Sequence, residues 1–173
     1  MLFEVYGPFD LPTSNSRTLV LSAAERRGFW ATVEAQVPGL SAACGCYVFV
    51  ITARNRDTPW YVGKAERTNF RKECLTPHKL LHFTAAALGN RGKPRLYLVP
   101  QVTEHGRFRA CTSSVRPAIA ELESILIGMG VARNPDLLNM RATRMLRQLQ
   151  VKGFMNTPLA KRGAPKRLRS VFE

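Results

Sequence analysis

The sequence predicts an α+β domain: a small central antiparallel sheet of about three strands flanked by helices. Three observations carry this. Residues 46–51, CYVFVI, form an unbroken apolar run rich in β-branched and aromatic side chains, the pattern of a strand covered on both faces. Residues 95–103, RLYLVPQVT, form another strand-like run. Around them, apolar residues recur at three- and four-residue spacing, as amphipathic helices require.

Each element follows in order. Residues 2–12 read as a short strand or arm ending at proline, and residues 14–17 as loop. Ser22, with Glu25 three residues on, is a capping box that opens a helix to about residue 36, closed by Pro38 and Gly39. Trp30 and Val33 fall on its inner face. The strand at 46–51 is followed by a polar turn over 54–59 and a strand over 60–63, giving a hairpin with a long loop. Residues 68–88 turn helical, with an interruption at Pro77, and lead into a basic turn over 89–93. Pro100 marks the strand at 95–103 as an edge or a bulge. Residues 108–111 suit a short return strand. In the helix over 115–129, Ala118, Ile119, Leu122, Ile125, Leu126 and Met129 form one stripe, and Gly128 and Gly130 end it. Asn134-Pro135-Asp136 is a turn. The expected organisation is an extension over 1–40 packed on the core, a core over 41–145, and a mobile basic tail over 146–173.

Composition narrows the partner. Lys plus Arg number 26 against 12 Asp plus Glu, a net charge of +14. A charge of this size fits a polyanionic partner, nucleic acid first and an anionic membrane surface second. No apolar run approaches the length of a membrane span. The N-terminus carries Glu4 and Asp10 in place of a basic-then-apolar leader, so no secretory signal is expected. Cys44, Cys46, Cys74 and Cys111 lack zinc-site spacing and read as reduced, mostly buried residues in a cytoplasmic, reducing compartment.

Gly45-Cys46-Tyr47 and Tyr61-Val62-Gly63 stand on the two hairpin strands. Arg71 follows Gly63 by eight residues, and Glu123 on the long helix precedes Leu126 and Ile127. Pro135 and Asn139 close the series. In this order the residues resemble the GIY-YIG nuclease family, with cysteine for isoleucine in the first triplet and valine for isoleucine in the second. The resemblance covers residues 45–139 and implies a metal-dependent endonuclease that hydrolyses phosphodiester bonds in nucleic acid, DNA by default. Its alternative is a module that kept the fold and binds nucleic acid without cutting it, or a nuclease subunit of a larger repair or mobile-element complex.

The resemblance also implies roles. Tyr47, Tyr61, Arg71 and Glu123 would share one pocket. Glu123 would hold one divalent ion, Mg or Mn, and Arg71 would present its planar fork to the scissile phosphate. Tyr47 would act as general base if a cation lowered its pKa, and Tyr61 would orient water or phosphate. Gly45 and Gly63 are motif glycines, and Asn139 ties down its turn.

Each residue also admits a plain structural reading. Tyr47 suits a core position, and Arg71 and Lys72 suit a solvated helix face. On the predicted wheel Glu123 and Glu121 flank the stripe symmetrically, so amphipathicity does not choose between them; family spacing selects Glu123. Lys64 can contact phosphate or simply be exposed. His78 and His82 lie four apart and read as surface or supporting groups. Lys64, Arg67, Lys72, Arg141, Arg144, Lys161, Arg162, Lys166 and Arg167 are the expected backbone contacts, giving affinity without sequence reading.

Overall fold

The computed structural model describes residues 1–13, 19, 22–112, 114–139, 148 and 150–171. The chain forms two compact units, Met1–Leu138 and Asn139–Glu173. The loop expected over 14–17 and the basic residues Arg141 and Arg144 lie outside the described residues.

The first unit is an α+β fold. Its strands are β1 (Leu2–Phe3), β2 (Tyr6–Asp10), β3 (Gly45–Ala53), β4 (Arg56–Ala65) and β5 (Lys93–Val102). All pairings are antiparallel, in the order β1-β5-β3-β4, with β2 also paired to β5. The sheet therefore has five strands where about three were expected, because the N-terminal segment pairs along β5. That pairing makes β5 an interior strand and corrects the edge reading of Pro100. Pro100 lies opposite the break between β1 and β2, where Phe3 pairs with Gln101 and Tyr6 with Leu98. Its missing N–H falls where that ladder is interrupted, and its carbonyl still accepts from the Glu4 N–H at 3.2 Å.

The hairpin is tighter than predicted. Arg54 and Asn55 carry φ of 49° and 59°, and Ala53 pairs with Arg56. This is a two-residue turn with both central residues left-handed, the geometry that matches strand twist. Arg-Asn is not the Asn-Gly pair that advertises such a turn, so the sequence predicts a long loop over residues 54–59 instead. One residue of slack appears instead as a bulge, where Phe49 pairs with Tyr61 but Val50 pairs with Pro59.

Helix α1 (Ala23–Gln36) starts at the predicted capping box: Ser22 Oγ accepts from Glu25 N–H, and the Glu25 carboxylate accepts from Ser22 N–H. Helix α2 (Phe70–Glu73) is one turn, capped by Asn69. Thr76 and Pro77 then start α3 (Pro77–Gly89), with proline at the helix position that needs no N–H. These helices and one sheet face share a core of Phe29, Trp30, Val33, Tyr47, Phe49, Phe70, Phe83 and Leu98. Phe49 and Phe83 stack at 4.2 Å.

Helix α4 (Pro117–Arg133) covers the other face, over Cys46, Val99, Val62 and Val48. Its phase differs from the predicted stripe. Ile119, Ile127 and Gly130 are buried, with Leu122 and Leu126 packed beside them, whereas Ile125 and Met129 are 59% and 64% exposed. Neither Gly128 nor Gly130 ends the helix; Gly130 lets Leu137 pack against its Cα, where a Cβ would stand 3.1 Å from Leu137 Cδ2. Residues 108–111 contribute isolated bridges, Val102 with Phe108 and Ala43 with Ala110, in place of a return strand.

A polar cluster ties three strands together. The Thr52 hydroxyl and the Tyr97 hydroxyl each donate to Asp57 at 2.5 Å. Burial pushes the Asp57 carboxyl up, but the bonds from Thr52 and Tyr97 outweigh it and hold the group below its ordinary 3.8. A depressed folded pKa contributes stability that is present above the unfolded value and lost as pH falls through the folded one. Asp57→Asn should therefore lower the melting temperature less at about pH 2 than at about pH 6. Equal losses at both would refute this.

In the second unit, Val151 bridges Met155 and a short helix, α5 (Ala164–Arg169), follows Gly163. The described part of the expected tail is folded. Among the described residues, no helix is long and apolar enough to cross a membrane.

Candidate active site

The two motif triplets lie opposite each other, with Tyr47 paired to Gly63 and Gly45 to Ala65. Gly63 adopts no left-handed φ, so its role is space. A Cβ there would stand 2.3 Å from both Cζ and the hydroxyl oxygen of Tyr47. The Tyr47 phenol thus lies across Gly63, at the outer strand β4. At Gly45 a Cβ would meet the Val99 carbonyl oxygen at 2.1 Å, so this glycine lets β3 and β5 approach.

Tyr47 is fully buried, and its hydroxyl has no well-formed hydrogen bond among the described residues. Burial drives its pKa far above the ordinary phenol value, with smaller upward pushes from Cys74, Tyr61, Glu73 and Glu123. The base assigned to it by resemblance would have to be an exposed, ionisable phenol, so this conformation does not support that role. Tyr61 stacks beside it with centroids 6.2 Å apart and is half-buried. Burial and the Glu123 charge raise the Tyr61 pKa, against a lowering by the Tyr47 phenol that falls short of a full hydrogen bond. Tyr61 thus stays protonated near neutrality and is a donor, the form suited to orienting a phosphoryl oxygen.

Glu123 sits four residues from both Ile119 and Ile127, inside the packed face of α4 rather than at its border. Glu121 is exposed, which separates the two glutamates that the wheel left equal. Lys64, next to Gly63 on β4, reaches 3.3 Å from Glu123 and 3.5 Å from Glu66. Burial opposes the Lys64 charge, yet the two carboxylates hold its pKa above 10.5. Lys64 is therefore half-buried and ion-paired, and its partners are acidic side chains. Glu66 is fixed in turn by the Arg116 N–H at 2.7 Å, at the start of α4. Cys46, at the centre of the first triplet, donates its thiol to the Ile119 carbonyl at 3.3 Å, and burial pushes its pKa up to about 12. It packs as an inert small residue.

The expected single pocket is not what forms. Tyr47 and Tyr61 lie on the α3 face of the sheet, and Glu123 with Lys64 lies on the α4 face. They communicate around β4, the outer strand, where the Glu123 charge acts on both phenols. Arg71 does not join them. On α2, Arg71 and Glu73 point about 200° apart. The Glu73 charge acts on both tyrosines, while Arg71 lines a groove with α1 residues; at Glu34 burial pushes the pKa up, but bonds from Ser41 and Gly39, with a smaller pull from Arg71, hold it below its ordinary value.

Several groups at the site escaped the sequence reading. Lys79 is 9% exposed, pairs with the Glu73 carboxylate, donates to the Glu73 carbonyl at 2.8 Å, and stands 5.2 Å from the Tyr47 ring centroid. Its signal was a lysine among α3 positions that bury Leu80, Phe83 and Ala87. His82 stacks on Tyr61 and meets His78, Nε2 to Nε2, at 3.2 Å. Asn134 secures the turn after α4: its amide donates to the Pro59 carbonyl at 2.8 Å, and its oxygen accepts from Asp136 N–H. Asn139 begins the second unit. Arg67 and Lys72 are exposed in the first unit, and Lys161, Arg162, Lys166 and Arg167 are exposed in the second.

Among the described residues, no group of three or more His, Cys, Asp or Glu side chains forms a metal cage. Glu123 and Glu66 still offer oxygen donors around one cationic point, now filled by the Lys64 ammonium. That donor set fits a hard divalent ion, which binds through one or two carboxylates and keeps several waters. No family model, curated protein or solved structure matches the chain.

Proposed function

We propose that the chain is a metal-dependent endonuclease that hydrolyses phosphodiester bonds in nucleic acid, with DNA as the first substrate. The observation that carries this reading is Glu123. A carboxylate within the apolar packing face of a helix works against folding, and such departures concentrate at functional sites. Its neighbours suit the chemistry: a lysine beside Gly63, a second carboxylate, and two phenols within reach of its charge, in a chain of net charge +14.

Mg or Mn bound by Glu123 with Glu66 would supply charge stabilisation to the phosphoryl oxygens and a more acidic water. Lys64, freed from the carboxylates, would pair with a phosphate oxygen. Tyr61 would donate to another. Tyr47 would hold the edge strand in shape from beneath Gly63. The exposed basic residues of both units would add salt-sensitive, sequence-independent affinity. An intracellular setting suits the unpaired thiols.

A second reading, a binding module without catalysis, is favoured by two placements: Tyr47 is shut away from solvent, and Arg71 faces α1. Plasmid and single-stranded DNA incubated with Mg, Mn or EDTA separate the two. Nicking or fragmentation that requires the metal supports the nuclease. Binding without cleavage under every metal supports the module, and no binding at low salt removes both.

A further inference from the structure

A groove of about 600 Å³ opens between α1 and the α2–α3 junction, well within the size range of small-ligand sites. Arg26, Arg27, Arg71 and Lys72 line it, and among the described residues of its wall there is no carboxylate. Trp30 and Leu75 give it an apolar floor, and both are almost wholly buried. The indole N–H of Trp30 is buried without an acceptor among the described residues, an arrangement that native interiors rarely leave unexplained. The start of α3 reaches the same wall through Thr76 and Pro77, and the Thr76 hydroxyl makes no capping bond. Helix N-termini favour negative charge. Four cations above an apolar floor match one chemistry, a phosphate joined to a less polar group.

We propose that this groove is a subsite for a nucleotide of the bound nucleic-acid strand. The four cations hold its phosphate, and its base or sugar lies on the apolar floor above the buried Trp30 and Leu75, close enough to alter the surroundings of the indole. Arg71 then binds phosphate away from the scissile bond. The inference rests on the nucleic-acid reading for its ligand class and is independent of cleavage.

The test uses the full chain in EDTA at low salt, so that catalysis plays no part. Trp60→Phe leaves Trp30 as the only tryptophan of the two in the sequence. Titration with a short 5′-phosphorylated single-stranded oligonucleotide is expected to change Trp30 fluorescence saturably. Arg27→Ala combined with Lys72→Ala is expected to weaken binding about tenfold, against about threefold or less for Lys161→Ala combined with Arg162→Ala, which removes the same charge from the second unit. Equal weakening by the two pairs would overturn the subsite in favour of diffuse attraction. Adenosine monophosphate binding as tightly as the oligonucleotide would overturn it in favour of a free-nucleotide site. Anisotropy of a labelled oligonucleotide on the chain with both tryptophans gives the same ranking if Trp60→Phe does not fold. Absence of nuclease activity leaves this result untouched, and a failed titration leaves the cleavage assay untouched.

Discussion

Gly63→Ala is expected to destabilise the first unit by about 3 kcal/mol or more, because the new methyl group has nowhere to go. It would stand 2.3 Å from the end of a Tyr47 side chain that is itself fully buried. Neither side can yield cheaply: Tyr47 is packed in the α3-face core, and Gly63 is fixed by its pairing with Tyr47 on β3. Backbone strain is not the cause, since Gly63 has no left-handed φ. The cost should therefore depend on the phenol. Tyr47→Leu removes the atoms in conflict, at its own cost of about 2–4 kcal/mol for lost packing. The double variant should then be more stable than the sum of the single losses by at least about 1 kcal/mol in denaturant titrations. Additive losses would mean that the glycine serves something else. Tyr47→Phe is the companion measurement. Its hydroxyl is buried without a well-formed hydrogen bond among the described residues, so removing it should leave stability unchanged or raise it by about 1 kcal/mol. Cleavage retained by Tyr47→Phe would mark Tyr47 as a packing residue, and cleavage lost by this variant at full stability would restore it as a participant in the chemistry.

These expectations also show which parts of the molecule the sequence made readable. The capping box at Ser22 was legible because it is local chemistry, two side chains and two backbone groups within four residues. Strand β3 was legible because it is buried on both faces and so reads as unbroken apolar sequence. Helix α4 was legible in existence but not in phase. Ile119, Leu122, Ile125, Leu126, Ile127, Met129 and Val131 leave too few polar residues to define a face, so the predicted stripe included Ile125 and Met129, which are exposed. That error placed Glu123 at a border when it lies within the packing face. The same blindness hid Lys79. In each case a charge occupies a position that the helix packs inward, and only tertiary contacts reveal that it is inward. Arg71 is the opposite case. Its spacing from Gly63 matched a motif, but the direction of its side chain depends on the short helix α2, where Phe70 and Cys74 take the buried side. The five-stranded sheet was hidden because pairing of residues 2–10 with β5 spans about half of the chain and leaves no local trace.

Glu123→Leu is expected to separate stability from activity. The substitution completes the apolar line from Ile119 to Ile127 and removes a charge from the packing face, while Lys64 keeps Glu66 at 3.5 Å. Replacing an inward charge by a well-packed apolar residue is commonly neutral or stabilising when its partner retains compensation. The melting temperature should therefore hold or rise. If the proposed nuclease reading holds, metal-dependent cleavage should fall by about a thousandfold or more, since the carboxylate proposed to hold the ion is gone. Glu123→Gln, which keeps the shape and loses the charge, should lose cleavage as fully. Lys64→Met provides the converse: it leaves Glu123 and Glu66 facing each other without the shared ammonium, so it should lower the melting temperature, most at low salt. Two outcomes would break this account. Cleavage that persists in Glu123→Leu would place the metal ligand elsewhere. A large loss of stability in the same variant would make Glu123 a structural ion-pair partner whose position on α4 has no need of chemistry to explain it.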